Sequence, residues 1–271
     1  MRKYCVIGYP IKHSLSPKIF NRAFRQLKIP AQYEAVEVRP EKLAAFMRGF
    51  RKKYSGANVT IPHKEKILRF LDKLSPEAKK IGAVNVIVNQ RGKLVGYNTD
   101  VFGAMVALGK EVRGQRSDVR CHRLAGSNVV ILGAGGAARA IVYGLKKAGA
   151  KITVLNRTVS HAEKLARDFK CKFGALENFD PANCDILINA TSVGMCSKET
   201  PLPQLKKILR GSKKKSIVMD IIYRPRMTKF LRDALGAGCR IITGEVMFFS
   251  QAAESFKLWA GKKFPLKFCL L

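Results

Sequence analysis

The chain has 271 residues, 47% of them hydrophobic, and 51 Lys and Arg stand against 19 Asp and Glu for a formal net charge of +32. This length allows two domains with sizeable cores, and the absence of repeats and low-complexity tracts excludes a fibrous or disordered chain. No apolar run is long enough for a membrane span; the longest candidate, around Val129 to Leu145, is broken by Arg139 and several glycines.

The opening segment, MRKYCVIGYP, passes directly into a predicted strand at Tyr4 to Gly8 and carries no signal-like apolar region. A helix is expected from Ser16, with Ser16 as N-cap and Pro17 at the first helical position. Leu15, Ile19, Ala23 and Leu27, flanked by Phe20 and Phe24, give that helix one apolar face. A second strand at Tyr33 to Val38, a helix from Pro40 to about Lys53 and a third strand at Gly56 to Thr60 follow, and a further helix is predicted to begin near Pro62. Ala83 to Val88 and Leu94 to Tyr97 read as a hairpin closed by Gln90 to Lys93, ahead of a helix starting at about Asp100. Gly109 to Ser127 is polar, basic and aperiodic, a linker-like stretch.

Beyond it the chain reads VVILGAGGAARA from Val129 to Ala140 and KITVLNRT from Lys151 to Thr158. Gly133, Gly135 and Ala138 fit the G-x-G-x-x-G/A fingerprint between a buried strand and a helix, a turn whose backbone approaches a pyrophosphate at a helix N-terminus. NAD sites usually carry an acidic residue at the end of the second strand, to take the ribose hydroxyls. Here Asn156, Arg157 and Thr158 stand instead, a set that suits a 2′-phosphate, so the cofactor expected is NADP(H). A helix at Ser160 to Phe169, strands at Asp185 to Ala190 and Ser216 to Ile221, a helix around Met227 to Leu235 and a last helix from Gly244 to about Gly261 complete the reading. Strand–helix alternation of this kind predicts a parallel sheet with helices on both faces.

The 7 cysteines (Cys5, Cys121, Cys171, Cys184, Cys196, Cys239 and Cys269) include no C-x-x-C pair, and neither HExxH nor Cys/His metal spacing occurs. Reduced buried thiols in a cytoplasmic protein, and no metal site, are the expectation. Basic residues sit singly or in short runs such as Arg51 to Lys53 and Lys213 to Lys215, without a basic arm, zinc finger or aromatic reading strand. The positive field therefore points to an anionic substrate and cofactor and to no dedicated nucleic-acid partner.

Three polar clusters fall at turns and strand ends. HSLSP (His13 to Pro17) brings Ser14 and Ser16 to a helix N-terminus, a site for a carboxylate. NVTIPHK (Asn58 to Lys64) ends a strand and offers Lys64 in the expected first helical turn, against the dipole preference. GYNTD (Gly96 to Asp100) leaves a strand and starts a helix with Asp100, for which an N-cap role is the simplest alternative.

With SLSP, NVTIPHK, GAVN (Gly82 to Asn85), GYNTD, GAGGAARA, NRT, INATSVGM (Ile188 to Met195), DIIYRP (Asp220 to Pro225) and the Gln251 region in order, the chain resembles the shikimate dehydrogenase family over nearly its whole length. The resemblance implies reversible NADPH-dependent reduction of 3-dehydroshikimate to shikimate, a step of aromatic amino-acid biosynthesis. It implies Lys64 and Asp100 as the catalytic pair and Ser14, Ser16, Thr60, Asn85, Tyr223 and Gln251 as substrate ligands. It places the cofactor against Gly133, Ala134, Gly135, Gly136, Ala137, Asn156, Arg157, Thr158, Thr191, Ile221, Gly244 and Met247. Two α/β domains facing across a cleft are implied: an N-terminal substrate domain (1–102 plus 246–271) and a Rossmann-like NADP-binding domain (103–245), in a monomer or homodimer. The chain departs from the family at Phe20, where a His is usual, and at Glu245 within TGEVM. Alternative readings are a quinate/shikimate dehydrogenase and a non-catalytic basic RNA-binding protein; joint retention of Lys64 and Asp100 weighs against the latter.

Overall fold

A computed structural model describes residues 1–113 and 124–265. Cys121, Cys269 and the middle of the expected linker lie outside the described residues. Two compact units are present, Met1–Asp100 with Phe249–Leu271, and Val101–Phe248.

In the first unit β1 (Arg2–Gly8), α1 (Ser16–Gln26), β2 (Ala31–Glu37), α2 (Leu43–Lys53), β3 (Gly56–Val59), β4 (Lys73–Leu74), α3 (Pro76–Ile81), β5 (Val86–Gln90) and β6 (Lys93–Tyr97) follow in order. The six strands form one sheet, β2-β1-β3-β5-β6-β4. β1 is parallel to β2 and β3, whereas the β5–β6 hairpin pairs antiparallel with itself and with β3, so this sheet is mixed. Alternation along β1 divides the core. Cys5 and Ile7 face a layer with Leu43, Met47, Phe50 and Ile87, and Tyr4 faces an aromatic layer with Phe20, Phe24, Tyr33, Phe256, Trp259 and Phe264. Phe20, the departure from the usual His, is fully buried and stacks on Tyr33 at 4.6 Å. Gly56 lies under Trp259: a Cβ there would stand 2.6 Å from Nε1, which donates to the Ile87 carbonyl at 3.0 Å.

Two expectations for this unit are corrected. Ser16 is not the N-cap of α1; it lies inside the helix, the cap position is Leu15, and the Ser14 hydroxyl accepts the Ser16 N–H at 3.3 Å. No α-helix begins near Pro62: the chain turns at residues 61–65 and makes only a 3₁₀ helix, Lys66–Phe70. Lys64 therefore precedes that helix, and the macrodipole argument about it lapses.

The second unit contains α4 (Asp100–Arg113, entered from the first unit), β7 (Asn128–Leu132), α5 (Gly136–Lys147), β8 (Lys151–Leu155), α6 (Val159–Phe169), β9 (Lys172–Gly174), β10 (Ile186–Asn189), α7 (Leu205–Gly211), β11 (Ile217–Asp220), α8 (Lys229–Leu235), β12 (Arg240–Ile242) and the start of α9 (Gly244–Ala260). Its sheet, in the order β12-β11-β10-β7-β8-β9, is parallel throughout. Val129 and Ile131 pack with α4, α5 and α6, and Val130 and Leu132 with α7 and α8, so both faces are covered as expected. The order reverses at β7, between β8 and β10, the switch point at which doubly wound sheets take ligands. The linker begins later than expected because α4 continues to Arg113.

Candidate active site

The polar residues of the first unit converge under Lys64. Its Nζ donates to Asp100 Oδ2 at 2.5 Å, with side-chain exposures of 13% and 6%. Backbone ties place both partners: Val84 N–H donates to the Lys64 carbonyl, and the Asn98 side chain accepts the Asp100 N–H at 3.0 Å while donating to the Ala83 carbonyl. Asp100 is thus the first residue of α4 and Asn98 takes its N–H, leaving the Asp100 carboxylate for Lys64 and for Asn85.

Asn85 is the hinge of the cluster. Its Nδ2 donates to Asp100 Oδ1 at 2.9 Å and Thr99 Oγ1 at 3.0 Å and reaches Gln251 Oε1 at 3.4 Å; its Oδ1 accepts the Thr99 N–H at 2.7 Å. Behind it, Tyr33 donates to Asn58 Oδ1 at 2.6 Å, and Asn58 Nδ2 donates to Ser255 Oγ at 3.1 Å. Such a network fixes rotamers because a buried partner left unmatched costs about 1–3 kcal/mol. Asn98, Thr99, Tyr33 and Ser255 were not foreseen as site residues, although Asn98 and Thr99 belong to GYNTD.

Ser14 precedes α1, Ser16 is the first residue of α1 and Thr60 directly follows β3. Ser14 is half-buried and Ser16 buried, Thr60 donates its N–H to the Ile7 carbonyl at 2.9 Å, and none of the three hydrogen-bonds Lys64 or Asp100. His63, next to Lys64 in the chain, is fully buried, its Nε2 2.7 Å from the Val38 carbonyl, and burial lowers its pKa. Tyr223 belongs to the second unit and stacks on Phe248 at 4.1 Å.

The second unit carries a cradle that fits a dinucleotide. Gly133 has φ +107°, and a Cβ there would meet Thr191 Cγ2 at 2.9 Å and the Ala190 carbonyl at 3.2 Å. Only glycine suits that turn. Gly135 caps α5 without a side chain and is exposed, so the first-turn N–H groups of Gly136 and Ala137 have no intrahelical partner; the first turn has no acidic residue. Ala138 is fully buried, as close packing of α5 requires. Past β8, Asn156 Nδ2 donates to the Thr158 carbonyl at 2.8 Å, shaping a turn on which Arg157 and Thr158 are exposed. On the other side of β7, Thr191 is held by Asn189, and Gly244 abuts Ile221, whose carbonyl oxygen lies 2.5 Å from a Cβ placed on residue 244. Met247 is in the core and Glu245 pairs with Arg226 at 3.1 Å.

Among the described residues no group of three or more His, Cys, Asp and Glu could hold a metal, and no helix is long and apolar enough to cross a membrane. Cys5, Cys184 and Cys239 are buried, Cys171 is intermediate and Cys196 is exposed; burial pushes the Cys184 thiol up to about 12.

A doubly wound dinucleotide unit joined to a mixed-sheet unit with a half-buried lysine–carboxylate pair defines a two-domain α/β oxidoreductase. Residues 6–87 match the model of the shikimate dehydrogenase substrate binding domain, and residues 116–228 that of shikimate / quinate 5-dehydrogenase. The chain is 46% identical to shikimate dehydrogenase (NADP(+)) of Pyrococcus abyssi over 96% of this chain and 93% of that one. It is similar, with a TM-score of 0.83 and 36% identity, to a Thermus thermophilus shikimate 5-dehydrogenase solved in complex with NADP(H) and shikimate, covering 97% and 95% of the two chains. A shikimate dehydrogenase structure from Aquifex aeolicus gives a TM-score of 0.86 at 36% identity, covering 98% and 94%. The chain belongs to the shikimate dehydrogenase family.

Proposed function

We propose that the protein catalyses the reversible NADPH-dependent reduction of 3-dehydroshikimate to shikimate. The observation that carries this reading is the 2.5 Å Lys64–Asp100 pair, oriented by Asn85. NADPH, when bound, supplies the hydride. Residues Gly133 to Ala137 would hold its pyrophosphate, Asn156 to Thr158 its 2′-phosphate, and Thr191, Ile221, Gly244 and Met247 its nicotinamide end.

Reduction of a ketone leaves an alkoxide that needs a proton. Lys64 delivers that proton from Nζ to the substrate oxygen, a contribution of roughly 10²–10⁴-fold in rate. Asp100 keeps the ammonium aimed at that oxygen and accepts a hydrogen bond from a neighbouring substrate hydroxyl. Ser14 and Ser16 bind the substrate carboxylate, while Thr60, Asn85, Gln251 and Tyr223 hold the ring hydroxyls. The substrate-binding part is discontinuous, 1–102 plus 246–271, and the cofactor-binding part is 103–245; the separation into compact units supports this division. The protein acts in the cytoplasm as a monomer or homodimer with no dedicated nucleic-acid partner. Scattered unpaired cysteines support the compartment, and the dispersed basic residues argue against a nucleic-acid reader.

Following NADPH absorbance with 3-dehydroshikimate tests the reading. Oxidation with this substrate, and much less with NADH in place of NADPH, is expected; no oxidation would overturn it.

A further inference from the structure

Asp220 ends β11 with no exposed surface, and among the described residues its carboxylate has no cationic partner. A desolvated charge without a counter-ion is costly, and a neutral residue would fill the space at less cost. What the carboxylate does is geometric. Oδ2 accepts the Thr228 hydroxyl at 2.7 Å, and Oδ1 accepts the Ile222 N–H at 3.0 Å and Asn189 Nδ2 at 3.2 Å. Ile222 and Thr228 are the two ends of the loop after β11, and Thr228 is also the cap of α8. Asn189 ends the adjacent strand β10 and passes the restraint on: its Oδ1 accepts both the N–H and the hydroxyl of Thr191, at 3.0 and 2.7 Å.

We propose that Asp220 is a positioning residue for the nicotinamide half of the cofactor, its carboxylate locking the loops after β10 and β11 into one rigid edge. The inference rests on the functional reading above. In the sheet order, β8 with Arg157 lies on one side of β7, and β10 and β11 lie on the other. A dinucleotide crossing the switch point therefore has its 2′-phosphate end beyond the reach of Asp220 and its other end against the loops that Asp220 ties.

Asp220→Asn keeps the size but loses one acceptor. The amide oxygen can serve Ile222 and Asn189, while the NH₂ group then faces the Thr228 oxygen, so the Thr228 proton loses its buried carboxylate acceptor. Binding of NADPH and of 2′,5′-ADP, which carries only the adenosine end, is measured by titration for wild type, Asp220→Asn, Thr228→Val and Thr228→Ser, with the melting temperature of each recorded. NADPH should weaken roughly tenfold in Asp220→Asn and Thr228→Val. Affinity for 2′,5′-ADP should stay within about twofold in every variant, and Thr228→Ser should bind NADPH like wild type. Equal weakening of both ligands, or unchanged NADPH binding in both Asp220→Asn and Thr228→Val, overturns the proposal; if Asp220→Asn does not fold, Thr228→Val against Thr228→Ser decides it. Wild-type protein that binds neither ligand overturns the NADP reading itself, and this inference with it.

Discussion

Ser255 on α9 and Thr99, the residue before α4, lie 3.2 Å apart, oxygen to oxygen, although 156 residues separate them in the chain. The single Ser255 proton goes to the Gln251 carbonyl at 2.8 Å, so the Ser255 oxygen accepts, from Asn58 and from a Thr99 hydroxyl that also lies 3.3 Å from Asn85 Oδ1. Thr99 in turn accepts from Asn85, and Asn85 braces Asp100. A hydroxyl on α9 thereby joins the hydrogen-bond network that runs through Thr99 and Asn85 to Asp100.

Ser255→Ala removes that acceptor and leaves the Thr99 hydroxyl and Asn58 Nδ2 only their 3.3 Å partners, Asn85 Oδ1 and the Asn85 carbonyl. Stability should fall by about 0.5–1.5 kcal/mol, read as a lower urea midpoint at unchanged m-value. Turnover should fall several-fold as Asp100 loosens. A variant with wild-type kcat and midpoint would show that the hydroxyl positions nothing.

Lys64→Ala should lower kcat by roughly 10²–10⁴-fold while KM changes much less, because the proton is needed only as the alkoxide forms. Asp100→Asn should also lose rate, since an amide orients an ammonium less well than a carboxylate. Lys64 and Asp100 act as one unit, so the double variant should lose less than the sum of the two barriers. Steady-state kinetics on the three variants check this; strictly additive losses would place the proton donor elsewhere.

Arg157 is exposed on the turn after β8. A charge-assisted bond from it to a 2′-phosphate is worth about 1.5–3 kcal/mol. Arg157→Ala should therefore weaken NADP by roughly 10–150-fold and leave NAD almost unchanged. Equal losses for the two cofactors in parallel titrations would remove this residue from cofactor discrimination.

Burial raises the pKa of Asp220 to about 6, against 3.8 for the free side chain, and the hydrogen bonds from Ile222, Thr228 and Asn189 offset only part of the cost. Between these two values the folded protein holds the proton more tightly than the unfolded chain, so this group's contribution to stability declines as pH rises from about 4 to 6. The full shift corresponds to about 3 kcal/mol at neutral pH. Asp220→Asn should then gain stability relative to wild type on going from pH 4.5 to 7.5. Urea denaturation at both values checks the sign, and a constant difference between the two proteins would contradict it.

The cofactor unit was legible because its signals are local. A glycine pattern between a buried strand and a helix, and an arginine at the next strand end, need no knowledge of the rest of the chain. The short edge strands β4, β9 and β12, of two or three residues, carry too little alternation to be seen, and neither α3 nor α7 is long enough to show a face. At HSLSP a serine–proline pair resembles a helix cap, yet Ser14 supplies the oxygen from two residues earlier. Lys64 and Asp100 entered through family resemblance, since nothing in a spacing of 36 residues says that two side chains will meet. The Tyr33–Asn58–Ser255 links were invisible for the same reason: such bonds exist only after packing brings distant segments together.

The aromatic layer of the first unit has a consequence for the order of events during synthesis. Tyr4, Phe20, Phe24 and Tyr33 precede the unit Val101–Phe248 in the chain, but the rings that complete their layer, Phe256, Trp259 and Phe264, follow it. The unit from Val101 to Phe248 is continuous and can close its core while translation proceeds. The first unit, although its opening strands are translated earlier, must wait with exposed aromatic surface until α9 has been made.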